Sequence, residues 1–506
     1  MKMFKEVYAV FEVTKTELKF AVGVFRDNTG LKVICKERIK GKWLTDEDEI
    51  IDVFRVSTRL KKFVSNYNVS FNSKLQRICI VFPSNTLLIK DAVANILLNK
   101  TENIVTVNHI NNLYEQARRI NFDDRNIVIN LKPYLFSINN HIKSAIPPIN
   151  ATNVNSVSMN AKVYTINKKV YNSFLSVLEH AGLEKLTLSF DVYTIARQIN
   201  DDRTFKDNFI TINWGYNNID ISYFCKETLI KKESINFGIE NIIQNLATKI
   251  NSKFEVANKY IFKLLDFSSK DKEDSVIYRK YIASEKKLYE LKPSDLKTYV
   301  TEEINYVIDK VDNYISKELQ FLKSARIIHV GKMTEIAGFE KILQRSKYKV
   351  ISSIYYSLVT GASEIWLTSM CGMIKLSRIN NKNSSEIITS NGRFKKQILF
   401  NDYNFPKVNH NVVNPQLNGH NRVIVDPRII NNNQRVMINK NSHLLNQRMQ
   451  YNQQKSFQNN NNYVPNANKL VQNNHSWESI NNFNSNYQNG NGPISEEYTY
   501  EKQKNR

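Results

Sequence analysis

Two stretches of this chain are written to one plan. Residues 6–41 read EVYAVFEV, ELKFAVGVF and LKVICKERIKG in succession, and residues 208–238 read NFITINW, IDISYF and LIKKESINFG. Each run is rich in β-branched and aromatic residues and is bounded by turn residues, which predicts a strand. Two copies of a three-strand meander, each followed by a helix-rich stretch, predict a two-lobed α/β body with a cleft between the lobes. Downstream, ARIIHVGKMTEIAGFEKIL predicts a buried strand, a loop at Gly331 and a helix, an order that places ligands at strand ends.

Composition narrows the class. The 506 residues are enough for more than one domain. No run of about 18 apolar residues occurs, and MKMFKEVYAVFEV lacks the apolar stretch of a signal peptide, so a cytoplasmic protein is expected. Cys35, Cys79, Cys225 and Cys371 are isolated, without CxxC or His/Cys pairing, and read as reduced core residues. The net charge of +23 suggests an acidic partner, either nucleic acid, an anionic lipid surface or an acidic peptide, although the abundance of Lys, Asn and Ile gives compositional bias a share in it. From residue 379 the periodic pattern fades into tracts such as QQKSFQNNNNYVPNANK, which predicts a disordered Asn-rich tail over 379–506. That tail holds 15 Lys and Arg against 7 Asp and Glu, so most of the basic excess belongs to the body.

The turn NWGYNNID and the loop VGKMTEIAG carry a resemblance. With the duplicated meander, they are similar to the actin and Hsp70-type ATPase superfamily, and within it to the bacterial cell-division family FtsA. In that family the second phosphate loop runs Asp-Ile-Gly-Gly-Gly-Thr-Thr-Asp. Here Asn213 stands at the first Asp, Gly215 at the first glycine, Asn217 and Asn218 follow, and Asp220 is retained. INFGIENI resembles the family's Pro-Val-Gly-Gly segment with Gly238 kept, and IIHVGKMTEIAGF resembles the adenosine motif with Gly331 kept and Lys332 in place of its second glycine. VTVNHINNLYEQA, LKPYLFSIN and PPIN follow the order of the family's 1C insert.

The resemblance implies an α/β, actin-like two-lobed ATPase fold made of duplicated ribonuclease H-like domains, with a 1C-type insert and a disordered tail. It divides the chain into subdomain 1A (1–84), the 1C-like insert (85–165), a return to 1A (166–204), 2A (205–242), 2B (243–310), 2A again (311–378) and the tail. It implies ATP and Mg²⁺ as cofactors. In the first turn, EVTKTE, Glu12 takes the family's Asp position, Thr14 its glycine, and Lys15 and Thr16 the hydroxyl pair. Glu12 and Asn213 would orient magnesium through water, although an amide brings no charge to balance the metal. Lost glycines and a halved carboxylate pair imply a pseudo-ATPase or a very slow ATPase.

The implied partners are the C-terminal tail of the tubulin-like ring protein FtsZ, gripped on 2B, other copies of the chain in a filament, and the inner face of the cell membrane at the division site. The family often has an Arg three residues ahead of Glu-Ile in its 2B helix; here that place is Val300, before Glu303 and Ile304. For membrane contact, GRFKKQILF offers Phe394, Lys395, Lys396, Ile398 and Phe400. The alternatives are an actin-like scaffold or filament with another cytoskeletal role, the pilus-type ATPases and shape-determining filament proteins among them, and an RNA- or DNA-binding protein acting through its tail. Nucleic acid is the less favoured partner, since the tail has no dense basic cluster.

Overall fold

The computed structural model describes residues 6–25, 30–99, 103–119, 123–200, 206–269, 275–284, 286–319, 324–381 and 386–395, all within one compact unit. The first lobe begins with β1 (Glu6–Val13), β2 (Glu17–Phe25), β3 (Lys32–Lys40), α1 (Val53–Phe71) and β4 (Arg77–Phe82). A separate four-stranded sheet follows, made of β5 (Leu88–Leu97), β6 (Asn126–Ile138), β7 (Ile142–Ser144) and β8 (Ser156–Asn167), with α2 (Val107–Arg118) between β5 and β6. The lobe closes with α3 (Lys168–Ala181), β9 (Glu184–Phe190) and α4 (Asp191–Ile199). The second lobe holds β10 (Phe209–Trp214), β11 (Ile219–Cys225), β12 (Thr228–Ile235), α5 (Ile239–Lys249), α6 (Phe254–Lys263), β13 (Tyr278–Ile282), β14 (Lys287–Leu291), α7 (Pro293–Leu319), β15 (Arg326–Val330), α8 (Phe339–Leu343) and β16 (Ser352–Ile354). The chain then returns through α9 (Thr368–Asn380) to a hairpin of β17 (Glu386–Ile388) and β18 (Arg393–Lys395).

The two main sheets repeat each other. Their strand orders are β3-β2-β1-β4-β9 and β12-β11-β10-β15-β16. In each, the first three strands form an antiparallel meander and the next two add in parallel. This is the duplicated ribonuclease H-like order, and the chain has the actin-like two-lobed fold. The repeat extends to register: Glu12 pairs with Lys19 across the first hairpin, and Asn213 pairs with Asp220 across the second.

Strand β1 is buried along nearly its whole length because both faces of its sheet are covered. Val7, Ala9, Phe11 and Val13 face the core built with α1 and α3, whereas Tyr8 and Val10 face one completed by Met370, Cys371, Met373 and Ile374 of α9. Helix α9 also crosses α4 closely. A Cβ on Gly372 would lie 1.7 Å from the Thr194 carbonyl oxygen, so no other residue fits there. Across the back, the four-stranded sheet touches the second lobe: the Tyr164 hydroxyl donates to the Leu229 carbonyl at 2.9 Å, and Lys132 pairs with Glu227 at 2.5 Å.

The hairpin corrects the expected tail boundary, since residue 379 lies in α9 and folded structure continues to Lys395. Strands β1 and β4 pair only from Val10 and Cys79 onward. Where they diverge, Ser390 fills the gap. Its amide donates to the Val7 carbonyl at 2.8 Å, its hydroxyl accepts from the Ala9 amide at 2.8 Å, and its carbonyl accepts from the Gln76 and Arg77 amides. Thr389 and Ser390 are fully buried. Phe394 and Lys395, read as part of a membrane segment, therefore belong to β18; Lys396, Ile398 and Phe400 lie outside the described residues. The boundaries expected at 242 and 310 fall inside α5 and α7, and Cys225, expected in the core, is exposed.

A Ser390→Ala substitution strands the buried Ala9 amide. It is expected to lower stability by about 1–3 kcal/mol in urea denaturation followed by circular dichroism, and an unchanged midpoint would refute the wedge.

Candidate functional site

A cavity of about 800 Å³ lies between the lobes. Its walls include Glu12, Thr14, Lys15, Thr16, Asn213, Gly215, Asn217, Asn218, Gly331 and Lys332, so the residues expected from three separate segments meet in one cleft. Gly238 stands behind the wall. It is the N-cap of α5, and a Cβ there would lie 2.1 Å from the Tyr216 carbonyl oxygen. Its small size thus serves the packing of the second turn against α5. Gly331 has φ +112, and a Cβ would lie 2.4 Å from Asn213 Oδ1, a backbone state and an approach that glycine alone permits.

Both turns are closed by their own hydrogen bonds. The Thr14 amide donates to the Glu17 carbonyl at 2.8 Å, and the Thr14 hydroxyl accepts from the Glu17 amide at 3.0 Å. The Gly215 amide donates to the Asn213 and Asn218 carbonyls, each at 3.0 Å. At the start of α5, the Gly238 amide donates to Asn241 Oδ1, and the Glu240 amide to the Tyr216 carbonyl at 3.0 Å. Tyr216 follows Gly215 in the second turn. It lines the cleft and packs against the second-lobe core, and burial with Glu240 nearby pushes its hydroxyl up to about 12. Asn217 donates to Glu240 and Lys15 pairs with Asp46 at 3.0 Å. Lys332 pairs with Glu335 and lies over the Phe262 ring at 4.2 Å.

The carboxylates are neutralised from within. Glu12, 5% exposed, accepts from Lys19 at 3.0 Å and from the Ser369 hydroxyl of α9. Burial alone would pull the Lys19 ammonium down, but Glu12 and Glu17 outweigh it and hold the group above its usual range. Asp220 accepts from Lys232 at 2.8 Å, from Ser234 at 2.7 Å and from Asn218 at 2.8 Å. Lys232 also donates to the Ser84 carbonyl at 3.2 Å, joining the lobes.

Two further carboxyls were not expected from the sequence. Asp191 opens α4, and its Oδ1 accepts from the Val192 amide at 2.7 Å. It keeps part of its surface open, yet protein surrounds it closely enough that burial, then Asp220 and Glu12, push it up to about 7. Asp48 is fully buried at φ +65. One oxygen accepts from Asn85 at 3.0 Å, the other has no partner among the described residues, and burial raises its pKa.

These residues test the cleft against Mg²⁺ and ATP. The space and the two facing turns suit a nucleotide. The donor set does not suit magnesium, which takes oxygen ligands and is usually held through one or two carboxylates. Asn213 carries no charge, Glu12 and Asp220 are each already paired with a lysine, and burial favours the protonated forms of Asp191 and Asp48. Among the described residues, no cluster of three or more His, Cys, Asp or Glu is arranged to hold a metal.

No family model matches the chain, and no curated protein matches it. Among solved structures, the PilM–PilN type IV pilus biogenesis complex aligns with TM-score 0.49 and 8% identity over 73% of this chain and 98% of that one. MreB5 of Spiroplasma citri bound to ADP aligns with TM-score 0.46 and 10% identity over 75% and 99%. The ethanolamine utilization protein EutJ from Carboxydothermus hydrogenoformans gives 0.43 and 11% over 73% and 89%. The fold rests on the strand order described above.

Asp191 sets a pH dependence. Between its unfolded value near 3.8 and its folded value of about 7, the folded chain holds a proton that the unfolded chain has lost. Stability therefore falls as pH rises through that window. Asp191→Asn, which keeps the acceptor without the charge, is expected to be more stable than the wild type at pH 8, by at most about 4 kcal/mol. The gap should close toward pH 4 in parallel denaturation curves; a gap independent of pH would contradict the assignment.

Proposed function

We propose that this chain is a divergent, FtsA-like actin-family scaffold that links the FtsZ division ring to the inner face of the cell membrane. On this reading it self-associates in filaments and its cleft takes ATP weakly or not at all. The supporting observation is the four-stranded sheet inserted in the first lobe between β4 and α3, where the resemblance calls for a 1C subdomain. The cleft agrees with the nucleotide part of the reading, because Asn213 brings no charge to a metal and lysines occupy the charge of Glu12 and Asp220.

One observation favours a second reading, an actin-like scaffold with a different cytoskeletal partner. Val300, at the place of the family's Arg, is fully buried in the second-lobe core, and the neighbouring Glu303 accepts from the Tyr299 hydroxyl at 3.2 Å. The usual grip on the FtsZ tail is therefore not available from this stretch. Lys259, Lys263, Lys286 and Lys287 are exposed around the same part of the second lobe and supply positive charge for an acidic peptide.

The first test is fluorescence anisotropy of a labelled FtsZ C-terminal tail peptide titrated with the full chain. Saturable binding that weakens when Lys286 and Lys287 are changed to Glu is expected. No binding at any concentration would move the chain to the second reading. In the same format, fluorescent ATP with Mg²⁺ is expected to stay unsaturated below about 1 mM, an affinity weaker than about 4 kcal/mol. Tight Mg²⁺-dependent saturation would overturn the account of the cleft.

A further inference from the structure

The end of the four-stranded sheet farthest from the first lobe is apolar and exposed. Strands β5 and β8 connect to the lobe at Leu88 and Asn167 and meet at the other end, where Leu97 pairs with Ser156, about 30 Å away at the rise of a strand. There Leu97 (87% exposed), Ile104, Val107, Ile142, Ile146 (72% exposed) and Ile149 all face solvent. Scattered exposed apolar residues are ordinary, but six on segments gathered at one end of a sheet point to a contact surface.

These loops are held in place. The Val105 amide donates to the Ala151 carbonyl, the Asn150 amide to the Val105 carbonyl, and the Val154 amide to the Asn103 carbonyl, stitching the two loop segments together. Asn139 accepts from the Asn155 and Ser156 amides and donates to the Asn153 carbonyl. Asn139, Asn140, Asn150 and Asn153 all have positive φ, a state Asn tolerates better than other non-glycine residues. The Ser144 hydroxyl donates to the Ile146 carbonyl and accepts its amide. The isoleucines are presented to water by an ordered frame.

The charge pattern bears on what could cover this end of the sheet. Residues 103–114 and 138–161 contain no Asp or Glu and one formal charge, Lys143, although charged residues make up 24% of the chain; the link at 100–102 adds one Lys and one Glu. With a net charge of +23, the molecule is drawn to anionic surfaces, and its apolar tip has almost nothing to repel them. The exposed side chains lie on turns and loop ends of a sheet, and a protruding set of this kind suits a fluid apolar layer that needs no matching shape. We infer that the tip of the four-stranded sheet inserts shallowly into an anionic lipid bilayer and is a membrane-contacting element of the protein. The inference rests on the membrane part of the proposed function and assigns the contact to the insert instead of the residues around Phe394.

The test is co-sedimentation of the full chain with vesicles of phosphatidylglycerol and phosphatidylcholine, and with phosphatidylcholine alone. Three proteins are compared: the wild type, the triple variant Ile142→Ser, Ile146→Ser, Ile149→Ser, and a chain ending at Lys395. All three substitutions are at exposed positions, and thermal melts check that the variant is folded. The expected result is binding of the wild type to the anionic vesicles and at least a tenfold weaker association of the triple variant. An Ile146→Trp variant should also shift its emission to the blue when vesicles are added. If the triple variant sediments like the wild type while the shortened chain does not, the tip inference fails and the membrane reading stands. If the wild type stays in the supernatant, both fall. If the triple substitution changes only the sedimentation of the protein alone, the tip is a contact between protein copies and the inference is overturned.

Discussion

The crossing of α4 and α9 is the contact on which the rest of the molecule depends. Helix α4 ends the first lobe ahead of the second, and α9 brings the chain back to cover the open face of the first sheet. At the crossing, Gly372 lets the two backbones approach until the Thr194 carbonyl occupies the space of a side chain. The same two helices then begin at the cleft, where α4 contributes Asp191 and α9 contributes Ser369 to the group around Glu12. Close packing and polar chemistry therefore sit within about one turn of each other, near the start of both helices.

The cleft illustrates how a charged site can be completed by the protein itself. Lys19 is the register partner of Glu12 on the adjacent strand, and Lys232 comes from β12 to reach Asp220. Buried ion pairs of this kind cost desolvation energy and hold only with good geometry and added hydrogen bonds, which Ser369, Ser234 and Asn218 provide. Glycines remain where backbones touch. Gly238 and Gly331 are required by the carbonyl of Tyr216 and the side chain of Asn213, so their presence follows from packing whether or not a phosphate ever enters.

Much of the fold was legible in the sequence because its signal is apolar. The two meanders stand out as alternating or continuous apolar runs, and even their shared hairpin length is visible in TKTE and GYNN. The residues that gather in the cleft were largely readable too, since turns at strand ends announce themselves. What the sequence concealed is polar and non-local. Lys19 looks like an ordinary strand residue until its cross-strand partner is known, and Asp191 looks like the first-turn acid of any helix. Ser390 lies in a stretch whose composition already resembles the Asn-rich tail, yet it is buried entirely through hydrogen bonds. No hydrophobic period marks such a residue.

The Ser390 wedge also has a consequence for biosynthesis. Its partner Ala9 lies 381 positions earlier in the chain, and α9, which covers the same sheet, is made almost as late. A ribosome therefore releases the first strands long before the elements that seal them exist, and the first lobe must wait, with one face of its sheet uncovered, for nearly the whole body to be translated. Contacts of such sequence separation slow folding and lengthen the exposure of sticky surface. The order of synthesis leaves that face of the nascent first lobe uncovered until α9 and the β17–β18 hairpin have been made.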